Sequence, residues 1–467
     1  MKFRAVIDKI KEWVKNCARN VNAFFVTTAK KTALMIKGRE PYDYFCALMC
    51  FSFVIFIITV LFCGVLQFSS LFFLNGADLG MDFFNSIRDV SHGYRYLYEE
   101  ANVIYPPLAN LFFLFVSRFI SADYNLSTWE DRLAWTSYPS AIIVYTLFFL
   151  ITFIILVICM PKIAEMDKSK RLLFLFFFIF NVPTLYGMER GNIIILSNIC
   201  VLTYLLTYSS DNNVKREIGL LALAIALAIK IYPAAFGWFL VNDKRYKEIG
   251  RLIIYSLLLF IVPSFFFGGP FYCVRMLFRN IFSFSDGASD DNVTTLTLIG
   301  ENVSLWFSRH TGANKEKVAL VLQKFVFITD KLHTAFSLIL IILFVFGSFV
   351  IKKRWKSVMI ACTALLSLPS IKALYLWPIF FAPLIMIMKE EKINKSNFIP
   401  FFAMILPFVY LPKLPVFSNF APGQTTNNLV MSICISVLIA TSIVIMICEI
   451  VNYFKNKNCD NAGADKA

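Results

Sequence analysis

An all-α polytopic membrane protein is what this 467-residue sequence predicts, and three observations carry the prediction. Hydrophobic residues make up 58% of the chain and charged residues only 16%, where soluble domains carry roughly a quarter charged. Mean hydropathy is +0.68. Apolar runs of about 17 to 25 residues recur from one end of the chain to the other, each long enough as a helix to cross a hydrocarbon core of about 30 Å. A soluble globular class is thereby excluded, and no stretch is left over for a separate soluble domain.

The formal charge of +15 is often a nucleic-acid signal. Here the Lys and Arg residues cluster in the N-terminal arm and in short loops between apolar runs, which is the positive-inside pattern, with attraction to anionic lipid as a side effect. No nucleic-acid partner is expected. The eleven Cys are scattered singly, most of them inside apolar runs (Cys50, Cys63, Cys159, Cys200, Cys362, Cys434, Cys448), and no CxxC or Cys/His ligand spacing occurs. They read as small core residues, with neither a disulfide framework nor a zinc site implied.

In chain order, residues 1–40 carry ten Lys or Arg against three acids, with Phe3, Ile7, Ile10 and Val14 at helical spacing. This arm is too long and too charged for a secretory signal and predicts an interfacial helix on the cytoplasmic face. The first span, about 44–67, then runs outward. It delivers the stretch Gly76 to Leu108, a polar and aromatic island holding Asp78, Asp82, Asp89, Glu99 and Glu100 and closed by Tyr105-Pro106-Pro107-Leu108. A second span is expected near 107–120 and others near 137–160, 171–188, 192–209, 217–240, 251–268, 334–351, 357–371, 374–388, 397–412 and 429–453. The total is about twelve, eleven to thirteen.

If each run crosses once, the basic groups at Lys244/Arg245/Lys247 with Arg251, at Lys352/Lys353/Arg354/Lys356 and at Lys455/Lys457 fall inside, and the polar segment 270–330 falls outside. Both termini are then cytoplasmic. Over the first half the same count puts the basic loop 161–171 outside and 186–192 inside, so the topology between 103 and 216 stays open, with a re-entrant or half-spanning run as the way to restore parity. Residues 41–455 read as one integral domain whose external loops, 68–106 and 270–330, carry juxtamembrane helices, and 456–467 as a cytoplasmic tail. Trp238, Trp355 and Trp377 suit interfacial belts, and the Phe-rich run Leu173–Phe180 suits lipid-facing or packing surface.

The chemistry-bearing residues are few. An outer-side carboxylate, Asp82 with Asp78 as competitor, can take a proton from an attacking hydroxyl. Lys230, Arg190, Arg309, His310 and Lys372 are the cations available to a phosphate leaving group. Lys230 stands about fourteen residues into the expected 217–240 helix, where a charge costs roughly 3 kcal/mol unless it is paired or faces water, so it marks a site. Each also has a plainer role, from solvated loop charge to snorkelling lysine. No Asp-x-Asp occurs, and Asp290-Asp291 is a loop pair, so neither a metal nor another cofactor is expected.

The island resembles the first external loop of the GT-C glycosyltransferases, and in detail of glycosyltransferase family 87, through Met81-Asp82-Phe83-Phe84 and Tyr105-Pro106-Pro107-Leu108. Tyr186-Gly187-Met188-Glu189-Arg190-Gly191-Asn192 is similar to that family's Gly-Gln-x-Asn segment, with the Gly-Gln pair replaced. Ala228-Ile229-Lys230-Ile231-Tyr232-Pro233 resembles its Lys-x-Tyr-Pro helix, Glu301-Asn302-Val303-Ser304-Leu305 its external Asn-x-Ser-Leu segment, and Ser367-Leu368-Pro369-Ser370 its Ser-Pro element. Where members often carry His after that element, this chain has Lys372 and Tyr375. The pieces appear in the family's order over roughly residues 45 to 390.

The resemblance implies a GT-C-type fold in the cytoplasmic membrane, with the active site facing outward. It implies transfer with inversion, through an Asp base, from a polyprenyl-phosphate sugar to a glycolipid or polysaccharide acceptor. Mannose is the first choice of sugar, and glucose, galactose and arabinofuranose remain open. Asp82 is then the base, with Lys230, Arg190, Arg309, His310, Lys372, Tyr232 and Asn192 toward the donor phosphate and lipid, and Tyr105, Asn302 and Tyr375 toward substrate. A polysaccharide polymerase or ligase is the runner-up, to be told apart by a catalytic set of external Arg and His without a first-loop carboxylate. A secondary transporter is a weaker rival, since it should show internal repeats.

Overall fold

Helix follows helix through the structure, a computed structural model that describes residues 40–72, 79–120, 134–164, 168–287, 315–368, 374–411 and 426–464. Every regular element among these residues is helical, as expected where backbone polar groups must be satisfied within the segment. The basic arm and the candidates Asp78, Asn302, Arg309, His310 and Lys372 lie outside the described residues.

Among the described residues five helical stretches are long and apolar enough to cross a membrane: Pro41–Thr59, Pro139–Ile158, Tyr246–Phe267, Phe327–Val350 and Leu429–Asn456. A sixth is a pair, Lys168–Ile179 and Val182–Arg190, bent by 50°. The chain is a polytopic membrane protein, but the described residues do not show about twelve continuous spans. Several of the expected spans are short helices instead, among them Pro107–Ser117 (11 residues) and Ile194–Thr207 (14 residues). At 1.5 Å per residue these rise only about 16 and 21 Å.

The bend in the paired span has a side-chain cause. Asn181 sits between the two helices: its Oδ1 accepts from Thr184 N (3.0 Å), capping the second, and its Nδ2 donates to the carbonyls of Phe177 (3.0 Å) and Phe178 (2.6 Å), closing the first. Pro183 in the first turn needs no hydrogen-bond partner, which suits a helix start.

Which ends lie together settles the parity problem. Lys170 pairs with Glu40 at 3.5 Å, and Tyr42 Oη donates to the Lys170 carbonyl, so the start of helix Pro41–Phe72 adjoins the start of the bent span. At the other end of helix Pro139–Ala164, Trp135 donates from Nε1 to the Leu79 carbonyl (3.0 Å). Helix Pro139–Ala164 therefore runs back toward the Lys170 end, and Pro107–Ser117 adds no net crossing. The basic stretch 168–171 and the Arg190 turn consequently occupy opposite ends of the bundle, reversed from the straight count.

Away from the Arg190 turn, several of the described basic side chains are paired or stacked near the Tyr208 end of helix Ile194–Thr207. Lys356 pairs with Glu449 (2.7 Å), Lys353 with Glu391 and Arg245 with Glu248, while the Arg354 guanidinium lies 3.6 Å from the centre of the Tyr208 ring. Two of the tryptophans expected in interfacial belts belong to the core instead. Trp355 and Trp377 are fully buried, and Trp377 Nε1 donates to the Met404 carbonyl at 2.9 Å. An indole N–H can be buried when a carbonyl meets it, which is why residue type alone misplaces these rings. Trp238 is half-buried and donates to Ser348 Oγ at 3.1 Å. In the Phe-rich run, Phe174, Phe177 and Phe178 are buried while Phe180 faces outward.

Candidate active site

Two turns from distant parts of the chain are sewn together at the end opposite Lys170. The first is Leu79–Asp82, leading into the amphipathic helix Met81–Ser91, and the second is Glu189–Asn192, after helix Val182–Arg190. Gly80 N donates to the Glu189 carbonyl at 2.7 Å, and Tyr145 Oη donates to the carbonyls of Met188 (2.5 Å) and Glu189 (3.0 Å). Phe84 stacks on Trp135 with ring centres 4.6 Å apart. The two turns approach so closely that a Cβ on Gly191 would stand 2.6 Å from Phe83 Cβ. Gly191 also has φ +67°, the left-handed value that ends a helix, so glycine is required there twice over.

That junction places Asp82 against Arg190. The guanidinium grips the carboxylate with two hydrogen bonds, Nε to Oδ2 at 3.0 Å and Nη2 to Oδ1 at 2.7 Å. Asn192 adds a third, Nδ2 to Oδ2 at 2.7 Å, while its own Oδ1 accepts from Ile194 N at 2.9 Å. Both charged side chains are about one-sixth exposed, so the pair is shielded from the screening that weakens surface ion pairs. Arg190 is thus the partner of Asp82 here, with two donor atoms committed to it.

Lys230 is not in mid-helix. Helix Asn213–Ile229 ends one residue before it, Lys230 has extended backbone (φ −143°, ψ 141°), and a 3-10 turn follows over Tyr232–Gly237. Pro233 explains the break, because it lacks an N–H and its ring clashes with the carbonyl four residues back, at Ile229. The expected 217–240 helix is therefore interrupted at the residue that marked it. The Lys230 ammonium is buried, although the residue as a whole keeps some exposure, and it lies 3.8 Å from the centre of the Tyr105 ring, within electrostatic reach of Asp82.

Three tyrosines complete the cluster. Tyr105 follows the segment 101–104 and precedes helix Pro107–Ser117; burial first, and the charge of Asp82 second, push its phenol well above the ordinary value, so it is neutral and can donate a hydrogen bond. Tyr375 and Tyr186 lie nearly parallel, ring centres 6.0 Å apart. Behind them Tyr232 Oη donates to Asn198 Oδ1 (2.9 Å) and Asn198 Nδ2 donates to the Tyr375 carbonyl (2.8 Å), tying the Lys230 turn to the Tyr375 turn.

Of the residues singled out in the sequence, the structure brings together Asp82, Arg190, Asn192, Lys230, Tyr105, Tyr232 and Tyr375. Tyr186, Tyr145 and Asn198 were missed. Tyr186 stands four residues before Arg190 on one helix and shares its face, a signal the spacing carried. Tyr145 is a rare polar-tipped residue in the apolar run 139–158. Among the described residues no group of three His, Cys, Asp or Glu is placed to hold a metal.

Fold and site together define the class: an integral membrane protein whose helices bring the Asp82 carboxylate together with the Arg190 and Lys230 cations at one end of the bundle, with the buried Glu189 beside them. The family model for glycosyltransferase family 87 matches residues 103–369, more than half of the sequence, and the chain belongs to that family. It is a membrane glycosyltransferase. Tyr105, Arg190, Asn192, Lys230 and Tyr232 lie within the matched segment, whereas Asp82 precedes it and Tyr375 follows it. No curated protein and no solved structure matches the chain.

Proposed function

We propose that the chain transfers a sugar, mannose as first choice, from a polyprenyl-phosphate donor to a glycolipid or polysaccharide acceptor. In this reading Asp82 accepts the proton of the acceptor hydroxyl as its oxygen bonds to the anomeric carbon. The bond from that carbon to the phosphate oxygen breaks on the opposite face, and the product is inverted. Polyprenyl phosphate leaves with the electron pair, and Lys230 meets its charge. The leaving group is served by a protein cation, so no metal is assigned a role.

The observation that supports this reading is the meeting of Asp82 with Lys230 and Tyr105 at one end of an apolar bundle. An ammonium in such surroundings is retained where an anion is to be met. The end away from the Arg190 turn holds several of the described Lys and Arg, which favours that end as cytoplasmic and the site as outward-facing.

Purified protein in lipid nanodiscs, given radiolabelled polyprenyl-phosphate mannose and membrane lipid extract as acceptor, tests the reading. Label should move into a larger glycolipid or polymer with wild-type protein, and transfer should fall by about 10²–10⁴-fold with Asp82→Asn. Transfer from a nucleotide sugar but from no lipid-linked sugar would overturn the donor assignment. Full activity in Asp82→Asn would overturn the base.

A further inference from the structure

A carboxylate offers about four lone pairs to hydrogen-bond donors. Among the described residues three are engaged in Asp82: both Oδ2 positions, by Arg190 Nε and Asn192 Nδ2, and one on Oδ1, by Arg190 Nη2. The second lone pair of Oδ1 is left over from this set. We propose that Arg190 and Asn192 are positioning residues that act through Asp82, turning that one lone pair toward the acceptor hydroxyl, and that Arg190 is not a ligand of the donor phosphate. The inference rests on the reading of Asp82 as the base.

Three features make the arrangement a fixed clamp. Arg190 and Asn192 flank Gly191 on one tight turn, where the backbone N–H of Asn192 donates to the Gly187 carbonyl (3.0 Å) and that of Gly191 to the Met188 carbonyl (2.9 Å). The Asp82 segment is bonded to the same turn through Gly80 N, and Tyr145 holds it from behind. Finally, the guanidinium edge that faces Asp82 is filled by the fork, while Tyr186 and Tyr375 neighbour the same side chain. A planar fork fixes a carboxylate in rotation as well as position, which a lysine ammonium cannot do. Among the described residues Lys230 has no carboxylate hydrogen-bonded to it, and of the candidate cations placed there it is the one not engaged with Asp82, which leaves it for the phosphate.

Two measurements separate positioning from phosphate binding. Binding of polyprenyl phosphate to nanodisc-embedded protein should change less than twofold in Arg190→Gln, while kcat falls about a hundredfold or more. In the double variant Asp82→Asn/Arg190→Gln, transfer should be no lower than in Asp82→Asn alone, because a residue acting through Asp82 has nothing left to position. Polyprenyl phosphate affinity reduced about tenfold, or losses that multiply in the double variant, would overturn the assignment and return Arg190 to the phosphate. Should Arg190→Gln not assemble, Arg190→Lys keeps the charge and loses the fork. It should bind polyprenyl phosphate as wild type does and still lose kcat, and retention of wild-type kcat also refutes the clamp. Persistence of transfer in Asp82→Asn is a separate result, which removes the base and leaves the affinity measurement to judge Arg190 by itself.

Discussion

Lys230 and Tyr105, 125 positions apart in the sequence, meet as a cation over an aromatic face, with the ammonium 3.8 Å from the ring centre. The contact holds the ammonium at the point where its helix stops, and among the described residues no carboxylate is hydrogen-bonded to it. Lys230→Met should raise the donor KM, or lower kcat/KM, by a factor of ten or more, equivalent to about 1.4 kcal/mol, with little change in acceptor KM. Steady-state kinetics with donor and acceptor varied separately is the measurement; unchanged transfer with a raised Tm in detergent would assign Lys230 a structural role.

Tyr105→Leu removes the ring and the hydroxyl together, whereas Tyr105→Phe keeps the face. A cation over a ring contributes about 0.5–2 kcal/mol depending on desolvation. Tyr105→Leu should therefore reproduce a part of the Lys230→Met effect on donor KM, and Tyr105→Phe should not. Equal defects in both variants would point to the hydroxyl, which Asn192 also reaches.

Gly191→Ala should both destabilise and inactivate. The backbone there is left-handed, which costs a non-glycine residue about 1–2 kcal/mol, and the added methyl meets Phe83 and Tyr145 at 2.6 and 2.8 Å. Gly93→Ala is the control, since Gly93 has φ +92° with nothing within 4 Å of its Cβ direction. The excess loss of thermal stability in Gly191→Ala over Gly93→Ala should be at least about 1 kcal/mol, the part due to crowding at the junction. Equal losses would show that the two turns separate freely.

Asn181→Ala should cost about 1–2 kcal/mol of stability in detergent, because the Thr184 N–H and two carbonyls lose their partner at the bend. Asn181→Asp keeps the acceptor and loses the donors, so it should fall between wild type and Asn181→Ala. Wild-type melting temperatures in both would leave the 50° bend without the cause assigned to it.

Sidedness can be read with an impermeant maleimide on intact cells, against the wild-type background of labelling. Glu100→Cys, exposed at the site end, should label in intact cells, and Lys244→Cys, exposed at the basic end, only after lysis. The reverse pattern would put the site on the cytoplasmic face and remove the reason for a lipid-linked donor.

Much of this protein was legible in one dimension. Apolar runs long enough to cross a bilayer need only composition and length to be recognised, and the ordered set from Met81-Asp82 to Ser367-Leu368-Pro369 pointed to the family. Asp82, Lys230, Arg190 and Asn192 were legible as residues too, because charged and amide groups inside an apolar chain are few.

Their partners were not. Arg190 read as a cation for a phosphate because nothing local shows that it meets Asp82, 108 positions earlier; that pairing exists only once two turns are locked at Gly80, Tyr145 and Gly191. Pro233 rules out an unbroken helix at Lys230, but whether the helix bends or stops depends on what receives the freed backbone and side chain, and here Tyr105 receives the side chain. The number of crossings also depended on packing. A run of eleven apolar residues can begin a span or turn back, and it is the Trp135 and Lys170 contacts at opposite ends of one helix that decide. Periodicity and composition set which segments enter the membrane; which ends meet is set by side-chain contacts between segments far apart in the chain, which a local pattern cannot encode.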